Sequence, residues 1–235
     1  MANLVVTNND LGDAILKDAV HDDIILQFPG ADTYVDGTIL ARKQVADAVT
    51  ASAITGTGDG TVTLATVVAG QVVPIVGVYV LNCIVALANG GTFELVDPNG
   101  AQVAGGLTLT VGAGAATVFE AGGMQFTITD GATDFAVGDT ATLTVVADGD
   151  VVIFAVAGAG GAQIPSMILT YEAVATGAED QAQRAMVSGQ VRREKLVIDA
   201  DGTPGSGITD DIVDELRDFG IIALSVDELN IQDNQ

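Results

Sequence analysis

Positive charge is scarce in this chain of 235 residues: eight Lys and Arg stand against 31 Asp and Glu, a formal net charge of −23. Between Lys43 and Arg184 there is none, a run of 140 residues. Such a field repels phosphate backbones and anionic headgroups, so no nucleic acid and no membrane surface is expected as a partner. A basic partner or a crowded, solvent-facing position fits better, since one-sided charge keeps a protein soluble at high local concentration. Tryptophan is absent and aromatic residues make up 4% of the chain. Platforms for stacking sugars are therefore few.

The supply of catalytic groups is equally thin. Acid–base and nucleophilic catalysis draw on His, Cys, paired carboxylates or metals. The one histidine, His21, stands in VHDDIILQF beside Asp22 and Asp23, with no Ser or Cys at a spacing it would activate. It reads as a solvated or structural residue. The one cysteine, Cys83, cannot form an internal disulfide and lies in the apolar run VYVLNCIVALA, where it reads as a buried thiol. No G-x-S-x-G, phosphate-binding loop or Cys/His metal spacing occurs. Hence no catalytic residue, no metal and no cofactor is expected, and a hydrolase using an acid pair would need an arbitrary choice among many carboxylates. Two acidic runs raise calcium. DADGTPG, Asp199 to Gly205, begins like an EF-hand loop but has Pro204 where the loop requires Gly, and reads as a turn. GTGDGT, 56–61, occurs once rather than as an array, and reads as a flexible entry to the segment after it.

The opening MANLVVTNNDLGD has no basic stretch followed by an apolar one, so no secretory signal is expected. The uncharged run VVPIVGVYVLNCIVALA, Val72 to Ala88, contains Pro74, Gly77 and Asn82, is β-branched and has no basic flank. It reads as two buried strands rather than a membrane span.

With 29 Gly and 49% hydrophobic residues, mostly aliphatic, the composition predicts many short strands broken by turns. The length suits two domains. Three zones differ in texture: 1–49 is acidic and mixed, 50–147 is rich in Gly, Thr and Val, and 148–235 is acidic with most of the basic residues. The middle zone carries seven acids, Asp59, Glu94, Asp97, Glu120, Asp130, Asp134 and Asp139, and no base. GTVTLATVV, the two runs near Val76 and Ile84, TFELV, LTLTV, MQFTIT and TATLTVV predict seven strands of an antiparallel sandwich or barrel, with Thr on wet faces and Val, Phe, Ile and Leu on dry ones. Asp97-Pro98-Asn99-Gly100 has the residue order of a type I turn, and Asp130-Gly131 and Gly138-Asp139 mark further reversals.

In the last zone MVSGQVRREKLVIDADG predicts a strand, and DDIVDELRDFG a helix capped by Thr209, with Asp210 and Asp211 favoured in its first turn. Ile212, Val213, Leu216 and Phe219 form its apolar stripe, Gly220 ends it, and IIALSV follows as a buried strand. The acidic face of DDIVDELRD reads as solvated rather than as a docking face.

Four stretches then stand out: DGTILARK (36–43), IPSMILTYEAVATG (164–177), MVSGQVRREKLVIDADG (186–202) and IVDELRDFGIIALSVDEL (212–229). Together they resemble the head decoration proteins of tailed bacteriophages, the lambda-type cement proteins that bind the outside of an expanded capsid. The resemblance implies a mainly β fold with minor α: a β-rich core with one C-terminal helix, here interrupted by an inserted antiparallel β sandwich or barrel. Residues 1–35 would be an N-terminal arm and first strand region, 36–49 and 148–235 the core, and 50–147 the insert. The insert, through GGTFELVDPNG and FTITDGATDFAVGDT, looks like a small β domain that recurs in phage structural proteins. The implied partners are the major capsid protein and the chain itself, as a homotrimer on local threefold sites. The implied place is the outer surface of the virion capsid, after synthesis in the host cytoplasm. The arm's start lacks a sustained helical or strand period, and Leu4, Val5 and Val6 are its candidate capsid contacts, suited to adding a strand to a partner's sheet. The rival expectation is a carbohydrate or host-surface adhesion module carried by the insert.

Overall fold

A computed structural model of the chain describes residues 14–109, 112, 114–198 and 202–225. The described residues are mainly β, with one α-helix among them. In chain order the strands begin with β1 (Ile15–Phe28), β2 (Asp32–Tyr34), β3 (Ile39–Arg42), β4 (Thr50–Ala51) and β5 (Thr61–Val67). Then come β6 (Gly77–Leu87), β7 (Gly90–Val96), β8 (Gln102–Leu109), β9 (Ala116–Ala121), β10 (Met124–Thr129) and β11 (Thr140–Val145). The rest are β12 (Val151–Ile153), β13 (Pro165–Leu169), β14 (Ala173–Ala175), β15 (Glu179–Arg192) and β16 (Ile221–Leu224), with helix α1 (Asp210–Asp218) before the last. No helix among the described residues is long and apolar enough to cross a membrane.

The chain forms two compact units. Unit 1 takes in the described residues through Arg42, Asp150–Val156 and the described residues from Ala162 onward; unit 2 comprises Lys43–Gly149 and Ala157–Gly161.

In unit 1 the strand order β1-β12-β3-β13-β15 closes on itself, because β15 also pairs with β1, and β16 adds to β15 in parallel. Closure removes the open edges that a five-stranded sheet would otherwise expose. Alternation along the inner strands sorts side chains into two cores. Ile39, Ala41, Ile168 and Met186 join Ile212, Val213 and Leu216 of the helix, while Leu40, Met167, Leu169 and Ala185 join Leu26, Phe28 and Tyr34. Strands buried on both faces need continuous apolar runs, which ILA and MIL supply. Phe28 and Tyr34 stack at 4.4 Å in the second core. The long β1–β15 ribbon bends at a bulge, where Asp18 has φ 54° and Gly189 φ 133°. A β-carbon on Gly189 would lie 2.8 Å from Ala19 Cα, so the ribbon requires glycine there.

Helix α1 starts as its sequence predicts. The Thr209 hydroxyl accepts the Ile212 N–H at 3.4 Å, and Asp210 and Asp211 occupy the first turn. Arg193 clamps the same end, pairing with Asp210 at 2.7 Å and donating to the Ile208 carbonyl at 2.9 Å. Two expectations need correction here. Phe219 does not complete the apolar stripe: the helix stops at Asp218, and the left-handed turn at Gly220 (φ 81°) leaves Phe219 46% exposed. IIALSV is buried on one face only, Ile221 and Ala223 lying inward and Ile222 outward. The strand predicted from Met186 begins earlier, at Glu179, and a single 3-10 turn at Arg193–Lys195 ends it.

Unit 2 is a two-sheet sandwich, β4-β11-β6-β7-β8 against β5-β10-β9. Its core draws Tyr79, Leu81, Cys83, Phe93 and Leu95 from one sheet and Val62, Met124, Phe126 and Ile128 from the other. Residues 45–55 pass from one sheet to the other: the Val49 N–H bonds Ala65 of β5, then Thr50 and Ala51 pair with β11. The type I turn is present, with the Gly100 N–H bonding the Asp97 carbonyl at 3.0 Å, and the Asp97 carboxylate accepts the Asn99 and Ala101 N–H groups at 2.8 Å each.

The run from Val72 is not two buried strands. It yields one strand from Gly77, while Val72, Ile75 and Val76 are exposed in the preceding loop, where Pro74 has no N–H to give a ladder. The sequence reading omitted β9, ATVFEA, whose alternation is masked by small and charged residues. Thr faces are less wet than expected. Thr140, Thr142 and Thr144 are half-buried and Thr127 is buried, because neighbouring strands flank them.

The helix face gives a direct test. Leu216, fully buried, should cost about 2–5 kcal/mol on replacement by Ala, a typical cavity cost. Phe219→Ala should cost under about 1 kcal/mol, as for an exposed position. Urea unfolding of both variants checks this, and equal costs would contradict the helix boundary.

Candidate functional site

Polar groups gather at the end of unit 2 where the 56–60 loop, the start of β11 and the 130–139 loop meet. Asp139 is the centre. Its carboxylate is 3% exposed and accepts three backbone N–H groups: Thr57 at 2.7 Å, Gly58 at 2.8 Å and Ala136 at 2.9 Å. Its carbonyl accepts the Cys83 N–H at 2.8 Å, and the Gly138 N–H bonds the Cys83 carbonyl at 2.9 Å, tying the cluster to β6. Burial alone would raise the Asp139 pKa, but the three amides outweigh it and hold the carboxyl below its usual range. The glycines of GTGDG permit this approach, since a β-carbon on Gly56 would strike the Asp139 carboxylate and one on Gly60 would strike the Phe135 ring. That loop is tied down rather than the flexible entry predicted from composition.

The neighbouring acids are held in the same way. Asp59 accepts the Thr133 N–H at 2.7 Å and Asp134 accepts the Asn89 N–H at 2.8 Å. Asp130 differs: it is 4% exposed and neither carboxylate oxygen has a hydrogen-bond partner. Burial pushes its pKa up, and the charges of Asp134 and Asp59 push it further. The Gly131 N–H, next in sequence, approaches without bonding geometry and offsets only part of this.

Where unit 2 begins and ends, Lys43 pairs with Asp47 at 2.9 Å and with Asp148 at 3.4 Å. Burial alone would lower its pKa, but the two carboxylates more than offset this and the ammonium is held charged. A shallow cavity of about 210 Å³ lies between Val68, Gln71 and the β9–β10 turn. Its one acid, Glu120, already accepts from Gln125 at 2.9 Å.

The residues singled out in the sequence are dispersed. His21 is exposed on β1, opposite Met186 in register. Cys83 is buried, its thiol donates to the Val85 carbonyl at 3.4 Å, and burial pushes its pKa up. Leu4, Val5 and Val6 lie outside the described residues, as do residues 199–201 of the calcium-like run. Among the described residues no group of three or more His, Cys, Asp or Glu comes together to hold a metal ion. Sequence reasoning saw Gly138-Asp139 only as a reversal. Two of its three amide partners, Thr57 and Gly58, stand about 80 positions away, and no spacing rule links them to it.

No protein-family model matches the chain, and no curated protein matches it. Two crystal structures of FlgL from Xanthomonas campestris align in part. One is 23% identical, covering 47% of this chain and 34% of that one, with a TM-score of 0.31. The other is 21% identical, covering 51% and 32%, with a TM-score of 0.28. The chain spans about a third of the length of these structures, and likeness this slight carries no assignment.

Asp139→Asn should destabilise unit 2 by about 2–4 kcal/mol, because an amide NH2 would face backbone donors in a buried site. The lowered pKa also fixes a sign. The stability that Asp139 contributes is present above the ordinary aspartate value of 3.8 and is lost as pH falls through its lower folded-state value. Denaturant unfolding below pH 4 should therefore show an acid-side loss in the parent that is weaker in the variant, and identical curves would contradict the bonding pattern.

Proposed function

We propose that the chain is a virion structural protein that binds the outer surface of an expanded phage capsid, as a trimer at threefold sites, and stabilises it. One observation supports this above others. The four stretches that resemble head decoration proteins are spread over residues 36–229, yet their strands β3, β13, β15 and β16 are consecutive neighbours in the sheet of unit 1. Most of the residues between the first two stretches, 44–149 and 157–161, belong to a separate sandwich. A shared sequence signature that assembles into one contiguous piece of fold behaves as a functional module with a domain inserted in it.

Attachment is assigned to the N-terminal arm. Ala14, the first described residue, is buried and its carbonyl accepts the Arg192 N–H at 2.8 Å, so the arm leaves from a fixed root on the barrel. Leu4, Val5 and Val6 stand ten to eight residues before that root. Burying three aliphatic side chains against a partner contributes about 1.5–3 kcal/mol each before ordering costs. A ligand that binds only the expanded shell stabilises that state by mass action.

Removing residues 2–13 tests this. The truncated protein should unfold at the parent's denaturant midpoint but cosediment with expanded heads at least about tenfold less tightly, a loss of only about 1.4 kcal/mol. Unchanged cosedimentation would overturn the assignment of the arm.

A further inference from the structure

Unit 2 has to satisfy its carboxylates almost without cations. Its one basic residue, Lys43, is engaged by Asp47 and Asp148. Of the seven acids between residues 50 and 147, six accept N–H groups of the backbone or of side-chain amides. Asp59, Asp97, Asp134 and Asp139 accept from the backbone, Glu94 from Asn82 and Gln102, and Glu120 from Gln125. Asp130 is the exception, and it is also one of the most deeply buried of the seven.

The surroundings of Asp130 offer no counter-charge. Its own N–H bonds the Ala115 carbonyl at 2.8 Å. The loop that follows brings Asp134, and the 56–60 loop brings Asp59, both acidic. Strands β5 and β9 bring Thr61 and Ala116 opposite the adjacent Thr129, neither ionisable. Asp139, the fourth acid of this end, is committed to its three amides. An ionised carboxylate here would be buried, unbonded and flanked by like charge, whereas a neutral carboxyl pays only the smaller cost of an unbonded polar group.

We propose that Asp130 is a proton-operated latch: while it carries its proton the acidic end of unit 2 stays closed and dry, and loss of that proton leaves an unpaired buried charge that opens this end to water. The step is a simple dissociation, COOH to COO⁻ with the proton released to solvent, and it needs no co-reactant. The elements released are those nearest Asp130, the 130–134 loop and its Thr133–Asp59 bond. The direction of response is opposite to that of Asp139. A raised folded-state pKa gives stability that is fully present below the ordinary aspartate value of 3.8 and is lost as pH rises through the folded-state value.

The test compares full-length parent and Asp130→Asn, a neutral replacement of the same shape, by thermal and denaturant unfolding across pH 3 to 8. Near the acid end the two should unfold alike. As pH rises the parent should fall behind, its folding equilibrium constant dropping about tenfold relative to the variant for each unit by which the folded-state pKa exceeds the ordinary one. Parallel curves, or a variant less stable throughout, would overturn the latch. Carboxyl-carbon NMR of the parent gives a reading that does not depend on the variant's folding: the Asp130 resonance, assigned through its backbone, should titrate above the other aspartates, and titration with or below them would overturn the proposal. Calcium chloride added at neutral pH should leave the parent's stability unchanged. Stabilisation of the parent but not of Asp130→Asn would also overturn it, by making a bound cation rather than a proton the counter-charge.

Discussion

The shortage of cations constrains everything in unit 2. Lys43 is the one cation of the sandwich and is shared by Asp47 and Asp148, so most of the other acidic side chains there are placed by backbone or side-chain amides instead. Such bonds to a charged acceptor are stronger than neutral ones and need no partner side chain. Asp139 shows the result: one carboxylate fixes two loops that are far apart in sequence and ties both to β6 through the adjoining backbone. Asp97 organises the opposite kind of element, a tight hairpin turn, with the same chemistry. The glycines of GTGDG follow from this, since only residues without β-carbons let the loop close around Asp139 and Phe135.

Unit 1 answers a different problem. Its inner strands β3 and β13 are apolar on both faces and have to be covered on both, while β1 and β15 carry charged and amide side chains as well. Closure of the barrel buries one set of side chains, and α1 with β16 covers the other. Basic residues return here and act locally. Arg193 holds the helix start, and the exposed pairs Arg184–Asp23 and Arg217–Asp214 contribute little to stability. The molecule keeps a net charge of −23, and charge this one-sided favours solubility at high local concentration.

What could be read from the sequence was what local pattern decides. TATLTV alternates buried and half-buried in β11, Thr209 caps α1, and Asp97-Pro98-Asn99-Gly100 turns. The mainly β class with one helix followed from those periods. Errors arose where tertiary context prevailed. Phe219 fits the helical period but lies past the last turn, and Val72 to Val76 are apolar yet exposed in a loop. The bonding around Asp139 and the isolation of Asp130 were invisible, because both depend on loops brought together from residues 57 to 139. Leu4, Val5 and Val6 were chosen for lacking a local period, and they lie outside the described residues.

In the proposed function the barrel, which carries the stretches that resemble decoration proteins, is the part proposed to attach, and the amide-braced acidic sandwich is an insertion in it. Attachment to a capsid is the claim on which the rest of the functional reading depends. Electron cryo-microscopy of expanded heads prepared with and without this protein tests it most directly. Added density at the local threefold positions, three copies to a site and on the outer surface alone, is the predicted result; heads that gain no density, or gain it without threefold arrangement, would contradict it.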